Sequence, residues 1–301
     1  MAKVRDMNNR VLILGCSGEV GSRLTLLLVQ AGYIVQGVRG ARPCKINTQN
    51  HNCYKINLLN SDLTRYLNEF RPNVLIHTAW VTDPGIFWNS PLNSQWVDVS
   101  KKLIQDFEKI GGEYLIVTST CAEYSWKNNQ PLSEYSKENP NSNYGQAKFE
   151  LLKWVRTRDI SFLWTRTFFQ FGLNEPSGRL VPSLIDSLLT ENRYFIKNSL
   201  NVRDFVYIHD VVGILFKLIC NRVLGIVNIG SGVGRSILST TELIADLIGR
   251  RDLLDYEDTN QSANIVVSNP TKLMSLIGVF SWTPLEEAIE ETIKVRHISN
   301  H

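Results

Sequence analysis

Short apolar runs recur along the first 170 positions of this chain, separated by stretches whose apolar residues fall every three or four places. Strands buried on both faces read as continuous apolar runs, and helices packed on them show an apolar stripe. This pattern predicts strands over Val11–Leu14, Ile34–Val38, Cys53–Ile56, Val74–His77, Tyr114–Thr118 and Phe162–Thr165. It predicts helices over Val20–Gln30, Ser94–Ile110 and Gly145–Arg156. Strand and helix in strict alternation imply an α/β fold with a doubly wound parallel sheet.

After about residue 170 the rhythm changes. "GLNEPSGRLVPSLI" and "IKNSLNVRDF" read as irregular and polar, "VVGILFKLIC" and "TTELIADLIG" as helices, and "GIVNIG" as a strand. The expected organisation is a dinucleotide-binding unit over 1–170 with a return around 202–230. Residues 171–301 then form mainly a smaller α/β lobe for substrate.

Composition changes this picture little. The 301 residues are 43% hydrophobic and 20% charged, ordinary values for a globular protein. A net charge of +3 without a dense Lys/Arg stripe argues against nucleic acid as a partner. "VLILG" is too short for a signal-peptide core or a membrane span, so the chain reads as cytoplasmic and away from membranes. Cysteines 16, 44, 53, 121 and 220 include no C-x-x-C pair and read as scattered reduced thiols. His297 and His301 lie at i, i+4 in a terminal tail, and no metal site is expected there or elsewhere.

The strongest chemical signal is "VLILGCSGEVGSRL". Gly15, Gly18 and Gly21 follow the first strand and open the first helix. Such glycines permit a tight turn, close approach of backbone to a pyrophosphate, and close packing of helix on strand. The helix N-terminus then offers free N–H groups to the anion. The plainer alternative is a glycine-rich turn. The G-x-x-G-x-x-G spacing resembles the short-chain dehydrogenase/reductase superfamily. In that superfamily, NAD-preferring members commonly end the second strand with an acid. Here Arg39 stands there, with Arg42 close by, which favours NADPH over NADH because a guanidinium suits a 2′-phosphate. Otherwise Arg39 is an arginine on a solvated loop.

"NYGQAKFELLKW" holds Tyr144 and Lys148, the only Tyr-x-x-x-Lys pairing in the chain. The i, i+4 spacing puts both on one helix face, where an ammonium would lower the phenol pKa and let it exchange a proton at neutral pH. "YLIVTSTCAEYS" supplies Ser119 and Thr120 at a strand end. In extended members of the superfamily the catalytic hydroxyl lies four residues before an aromatic, and Tyr124 then selects Thr120. The competing role is a hydroxyl that caps the next turn.

At this point the resemblance broadens to the NAD-dependent epimerase/dehydratase family, extended short-chain dehydrogenases that act on nucleotide sugars. "VLIHTAW", "LWTRTFFQFG", "NVRDFVYIHDVV" and "VNIGSG" resemble its motifs, and the likeness runs from Val11 to about Pro284. It implies a Rossmann fold and a cofactor held by Gly15, Ser17, Gly18, Glu19, Val20 and Gly21. Further along it implies Arg39, Asn57, Leu58, Thr78, Ala79, Trp80 and Lys148. It implies Thr120, Tyr144 and Lys148 as catalytic residues, and Cys121, Glu123, Arg179 and Arg203 on the substrate side. Arg203 would reach the nucleotide diphosphate, unless it pairs with Asp204 or Asp210. Trp80, Phe87, Trp88 and Trp96 belong either to the sugar pocket or to the core. Family members often dimerise through the two helices matching Ser94–Ile110 and Gly145–Arg156, which gives a homodimer as the expected state.

The departures from the family motifs bear on the reaction. Dehydratases follow the catalytic Thr with Asp-Glu, whereas this chain has Cys121 and Ala122, and Glu123 comes one place late. Members that couple 3,5-epimerisation to reduction use a Cys and a His where this chain has Ala122 and Arg179. The expectation is therefore NADPH-dependent reduction of the 4-keto group of a nucleotide-linked 4-keto-6-deoxy sugar, with Tyr144 as proton donor. The alternatives are an NAD-dependent nucleotide-sugar 4-epimerase and a non-catalytic NADP-binding regulator.

Overall fold

A computed structural model describes residues 9–44, 46, 48, 50–127, 129–257 and 262–299. The first strands are β1 (Arg10–Leu14), β2 (Ile34–Arg39), β3 (His51–Lys55), β4 (Val74–His77), β5 (Tyr114–Thr120) and β6 (Ser161–Thr167). A later strand, β11 (Gly225–Ile229), joins them in one seven-stranded sheet of order β11-β6-β5-β4-β1-β2-β3. Every pairing in it is parallel.

Helices cover both faces: α1 (Glu19–Gln30) and α6 (Ile208–Cys220) on one side, and α2 (Thr64–Phe70), α3 (Leu92–Lys109) and α4 (Asn143–Val155) on the other. Strand β1 shows why its sequence is uniformly apolar. Val11 and Ile13 pack with Leu24 and Leu28 of α1, while Leu12 and Leu14 pack with Leu67, Ile104 and Leu151 on the opposite face. Alternate side chains point to opposite faces, so both sets must be apolar.

The rest is built from short pieces. Strands β7 (Phe169–Phe171) and β10 (Phe205–Tyr207) pair in parallel. Strands β8 (Tyr194–Ile196) and β13 (Leu254–Tyr256) do the same. Strand β9 (Val202–Arg203) lies between β12 (Arg235–Ser236) and β14 (Ile265–Val266). Helices α5 (Leu180–Leu189), α7 (Ile237–Ile248), α8 (Thr271–Ile277) and α9 (Leu285–Ser299) pack around them. The stretch from 172 to 185, expected to be irregular, in fact enters α5, whose Pro182 sits in the first turn where a missing N–H costs nothing.

Among the described residues no helix is long and apolar enough to cross a membrane. The cysteines are not scattered in space. Cys16, Cys44 and Cys53 converge, with all three sulfurs within 4.8 Å of one another. His301 lies outside the described residues.

Candidate active site

A cleft of about 970 Å³ opens along the carboxyl ends of the sheet strands. It straddles β1 and β4, where the strand order reverses, which is where open α/β sheets bind ligands.

The glycine loop forms one wall. Gly15 takes φ +86°, and its N–H donates to Val38 O at 2.8 Å. Gly18 is the N-cap of α1 and no side chain caps it, which leaves backbone N–H groups for an anion. A Cβ on Gly21 would lie 2.1 Å from Gly15 O. Gly21→Val is therefore expected to prise the helix from the strand and weaken dinucleotide binding by about a hundredfold or more, equivalent to roughly 3 kcal/mol. Fluorescence titration with NADH and NADPH, on protein whose fold is checked by circular dichroism, measures this.

Ser17, Glu19 and Val20 line the same wall, with the Glu19 carboxylate paired to Arg23 at 2.7 Å. Asn57, Leu58, Thr78 and Ala79 line the opposite side, and Thr78 Oγ1 donates to Leu14 O at 2.7 Å. The geometry fits an extended dinucleotide: a left-handed glycine, a bare helix start and open space above both.

Arg39 is placed differently from expectation. Its guanidinium turns back to donate to Gly40 O and Arg42 O, and it does not line the cleft. At this end of the cleft the lining cations are Arg42 and Lys55. Lys55 is the register partner of Arg39 across β2 and β3, at the same sheet edge. That shared edge is the signal that sequence reading passed over.

The acid–base end lies where α4 meets β5. Ser142 caps α4 by accepting from Gly145 N at 3.1 Å. Gly145 lets α4 close on the turn after β5, since a Cβ there would meet Ala122 O at 2.4 Å. This brings the Tyr144 hydroxyl to that of Thr120, which also accepts from Ala122 N at 3.1 Å. The hydroxyl thus fills the capping role considered for Thr120 while it faces Tyr144. Ser119 is engaged elsewhere, donating to Glu123 Oε1 in the core.

The Lys148 Nζ donates to Thr118 O at 3.1 Å and sits 3.9 Å from the centroid of the Trp80 ring. Burial pushes the Tyr144 phenol up, and the Arg179 guanidinium opposes this. Burial also pulls Lys148 down to about 7 from its usual 10.5, against the attraction of Glu123. A lysine depressed in the folded state destabilises the fold wherever it must carry charge. That cost is full below pH 7 and disappears above about 10.5. Lys148→Met is expected to raise Tm at pH 6 by on the order of a few degrees, with a smaller gain at pH 10, while turnover falls. Calorimetry at the two pH values checks the sign.

Aromatic rings wall the substrate side. Phe87 and Trp88 meet the Tyr144 ring edge-on at 5.1 and 5.8 Å, and Trp126 meets Trp88 at 6.3 Å. Trp80 stacks on Trp96 at 5.8 Å, and both border the cleft while packing in the core. Arg179, at the N-cap of α5, lines the cleft 5.3 Å from the Phe87 ring centroid and 3.4 Å from Glu175. Glu175, which sequence reading missed, is pushed up to about 7 by burial. Trp126 and Phe169 were also missed, because a loop residue and the start of a three-residue strand carry no periodic signal. Cys121 lines the cleft as a thiol pushed up to about 12 by burial.

Two expected substrate residues are not in the cleft. Glu123 is fully buried behind it, accepting from Trp164 Nε1 at 2.9 Å and Arg166 Nε at 2.6 Å. The short turn Cys121–Glu123 rotates its side chain into the core. Arg203 stands behind Phe169 and Trp126, 5.2 and 5.6 Å from their ring centroids, and donates to Val202 O and Asn264 O. It pairs with neither nearby aspartate. Asp204 accepts from Ser231, Gly232 and Ser268, and Asp210 accepts from Thr283.

The family model for the NAD dependent epimerase/dehydratase family matches residues 11–230. The chain is 22% identical to a GDP-6-deoxy-D-talose 4-dehydrogenase of Aggregatibacter actinomycetemcomitans, over 95% of this chain and 98% of that one. It is 21% identical to a UDP-glucose 4-epimerase of Rhizobium meliloti, over 92% and 93%. In fold it is similar to a UDP-glucose 4-epimerase from Thermotoga maritima solved with UDP-glucose. The TM-score is 0.85 at 22% identity, over 97% of this chain and 100% of that one.

Proposed function

Because this chain belongs to the NAD dependent epimerase/dehydratase family, we propose that it is a nucleotide-sugar 4-ketoreductase. It would use NADPH to reduce the 4-keto group of a nucleotide-linked 4-keto-6-deoxy sugar. The observation that carries this reading is that Thr120 and Tyr144 meet in the cleft with no carboxylate at the two positions after Thr120, where a dehydratase carries its Asp-Glu pair. Cys121 and Ala122 occupy its place, and Glu123 is locked to Arg166.

The glycine loop would hold the dinucleotide, which would supply the hydride. Thr120 and Tyr144 hold the sugar oxygen, and Tyr144 gives it the proton. Lys148, at the Thr118 carbonyl, positions the nicotinamide ribose and returns a proton to Tyr144. Phe87, Trp88 and Trp126 exclude water around the reacting carbon and cover the apolar C6 edge of a deoxy sugar. Arg42 and Lys55, both on the cleft, favour the 2′-phosphate of NADPH. The activity for which the Aggregatibacter relative is named, oxidation at C4 of a 6-deoxy sugar nucleotide, is the same chemistry run backwards.

The second reading is a 4-epimerase, favoured by the Rhizobium and Thermotoga relatives. Loss of reduced-nicotinamide absorbance on mixing the protein with NADPH, or with NADH, and a panel of nucleotide 4-keto-6-deoxy sugars separates the two. Stoichiometric oxidation, faster with NADPH, is expected. Interconversion of C4 epimers without net oxidation, by protein that retains NAD through purification, would replace the reductase with the epimerase.

A further inference from the structure

Outside the cleft, the first strands and their connections gather three thiols and an imidazole from three places in the chain. Cys16 follows Gly15 in the glycine loop, Cys44 lies in the β2–β3 connection, and His51 and Cys53 share a face of β3 at i, i+2. Cys16 Sγ and Cys53 Sγ are 3.3 Å apart, and Cys44 Sγ completes a triangle with no side above 4.8 Å. A tetrahedral thiolate site with metal–sulfur bonds near 2.3 Å spaces its sulfurs about 3.8 Å apart, inside that range.

The imidazole is an independent observation. His51 is 6% exposed, and its Nε2 is buried without a hydrogen-bond partner. Its Nδ1 faces Ile46 O at 3.3 Å, which fixes the proton on Nδ1 and leaves a lone pair on Nε2. A second-shell carbonyl bond of this kind is what orients metal-binding histidines. That nitrogen lies on the Gly37 side of the cluster, outside the triangle of the three sulfurs. A Cβ on Gly37 would meet Cys16 Sγ at 2.5 Å and His51 Nε2 at 3.0 Å, so the missing side chain of Gly37 makes room for both.

We propose that Cys16, Cys44 and Cys53 bind a structural zinc ion, onto which the His51 Nε2 closes as the fourth ligand, tying the β2–β3 connection to the glycine loop. Four protein ligands fill a tetrahedral shell, so the ion has no open position for catalysis. Binding exchanges three thiol protons for one Zn²⁺ and involves no change of oxidation state. The connection so fixed carries Gly40 and Arg42 on the cleft, and the ion would hold this rim in place.

The test uses the full chain, reduced and incubated with Zn²⁺ or Co²⁺, then dialysed. About one zinc per chain by mass spectrometry of the metal is expected, and the cobalt form should show thiolate charge-transfer and tetrahedral d–d absorption bands. Cys44→Ser, in a loop where folding is little affected, should lose the metal. His51→Phe should lose it too, whereas Cys220→Ser, on an exposed thiol, should retain it. The proposal is overturned if the reduced wild type binds neither ion. It is equally overturned if Cys44→Ser binds as well as wild type, or if the metal-supplied protein carries a Cys16–Cys53 disulfide.

Discussion

Tyr144→Phe is expected to lower kcat by about 10²–10⁴-fold, the usual worth of a positioned general acid. Cofactor affinity should stay within about twofold, because the lost hydroxyl faces Thr120 and the substrate side rather than the glycine loop. The ring itself stays packed, since Phe87 and Trp88 hold it by edge-on contacts that phenylalanine keeps. Steady-state kinetics with the reactive sugar, alongside a cofactor titration, separates the two quantities. A variant that keeps wild-type turnover would remove Tyr144 from the chemistry.

The second large effect concerns stability. Arg166 and Glu123 form an ion pair with both side chains fully buried. Arg166 also reaches Glu138 and lies 4.4 Å from the Tyr124 ring centroid. Arg166→Met leaves Glu123 with Trp164 and Ser119 as its remaining partners and a charge without a counter-ion. Breaking such a pair costs about 3–5 kcal/mol, which is most of the stability of an ordinary domain. Urea unfolding should show a lower midpoint with an unchanged slope. The double variant Arg166→Met/Glu123→Gln should recover part of the loss, because no buried charge is then left unpaired. The pair also stands directly behind Thr120, so the single variant should lower turnover through a loosened β5 end.

Much of this arrangement is legible in the sequence. The strand ends Val74 and His77 fall where the apolar run stops, and β1, β2, β5 and β6 differ from expectation by one to three residues. Doubly buried strands write their limits in the sequence. The register of β3 does not, because "HNCYK" mixes polar and apolar residues, and its start at His51 follows from pairing with Val35. Two- and three-residue strands such as β9 and β14 have no period to detect. The glycine loop and the Tyr144–Lys148 pair stand out by their spacing, and Thr120 by its offset from Tyr124, and the structure brings all of them to the cleft. Side-chain direction was legible only in part. Glu123, one place late in the motif, faces away from the site as its position suggests, whereas Arg39 turns back onto its own loop. The gathering of Cys16, Cys44 and Cys53 is a product of parallel pairing between distant segments, and no local spacing announces it.

The reductase account is tested most directly by following the hydrogen itself. NADPH carrying deuterium at the transferable C4 position is incubated with the responding nucleotide 4-keto sugar. Mass spectrometry and proton resonance then locate the label in the product. The account predicts one deuterium at sugar C4, one oxidised cofactor per product, and no transfer by Tyr144→Phe. Product that forms at full rate without deuterium at C4, or without net oxidation of the cofactor, would contradict it.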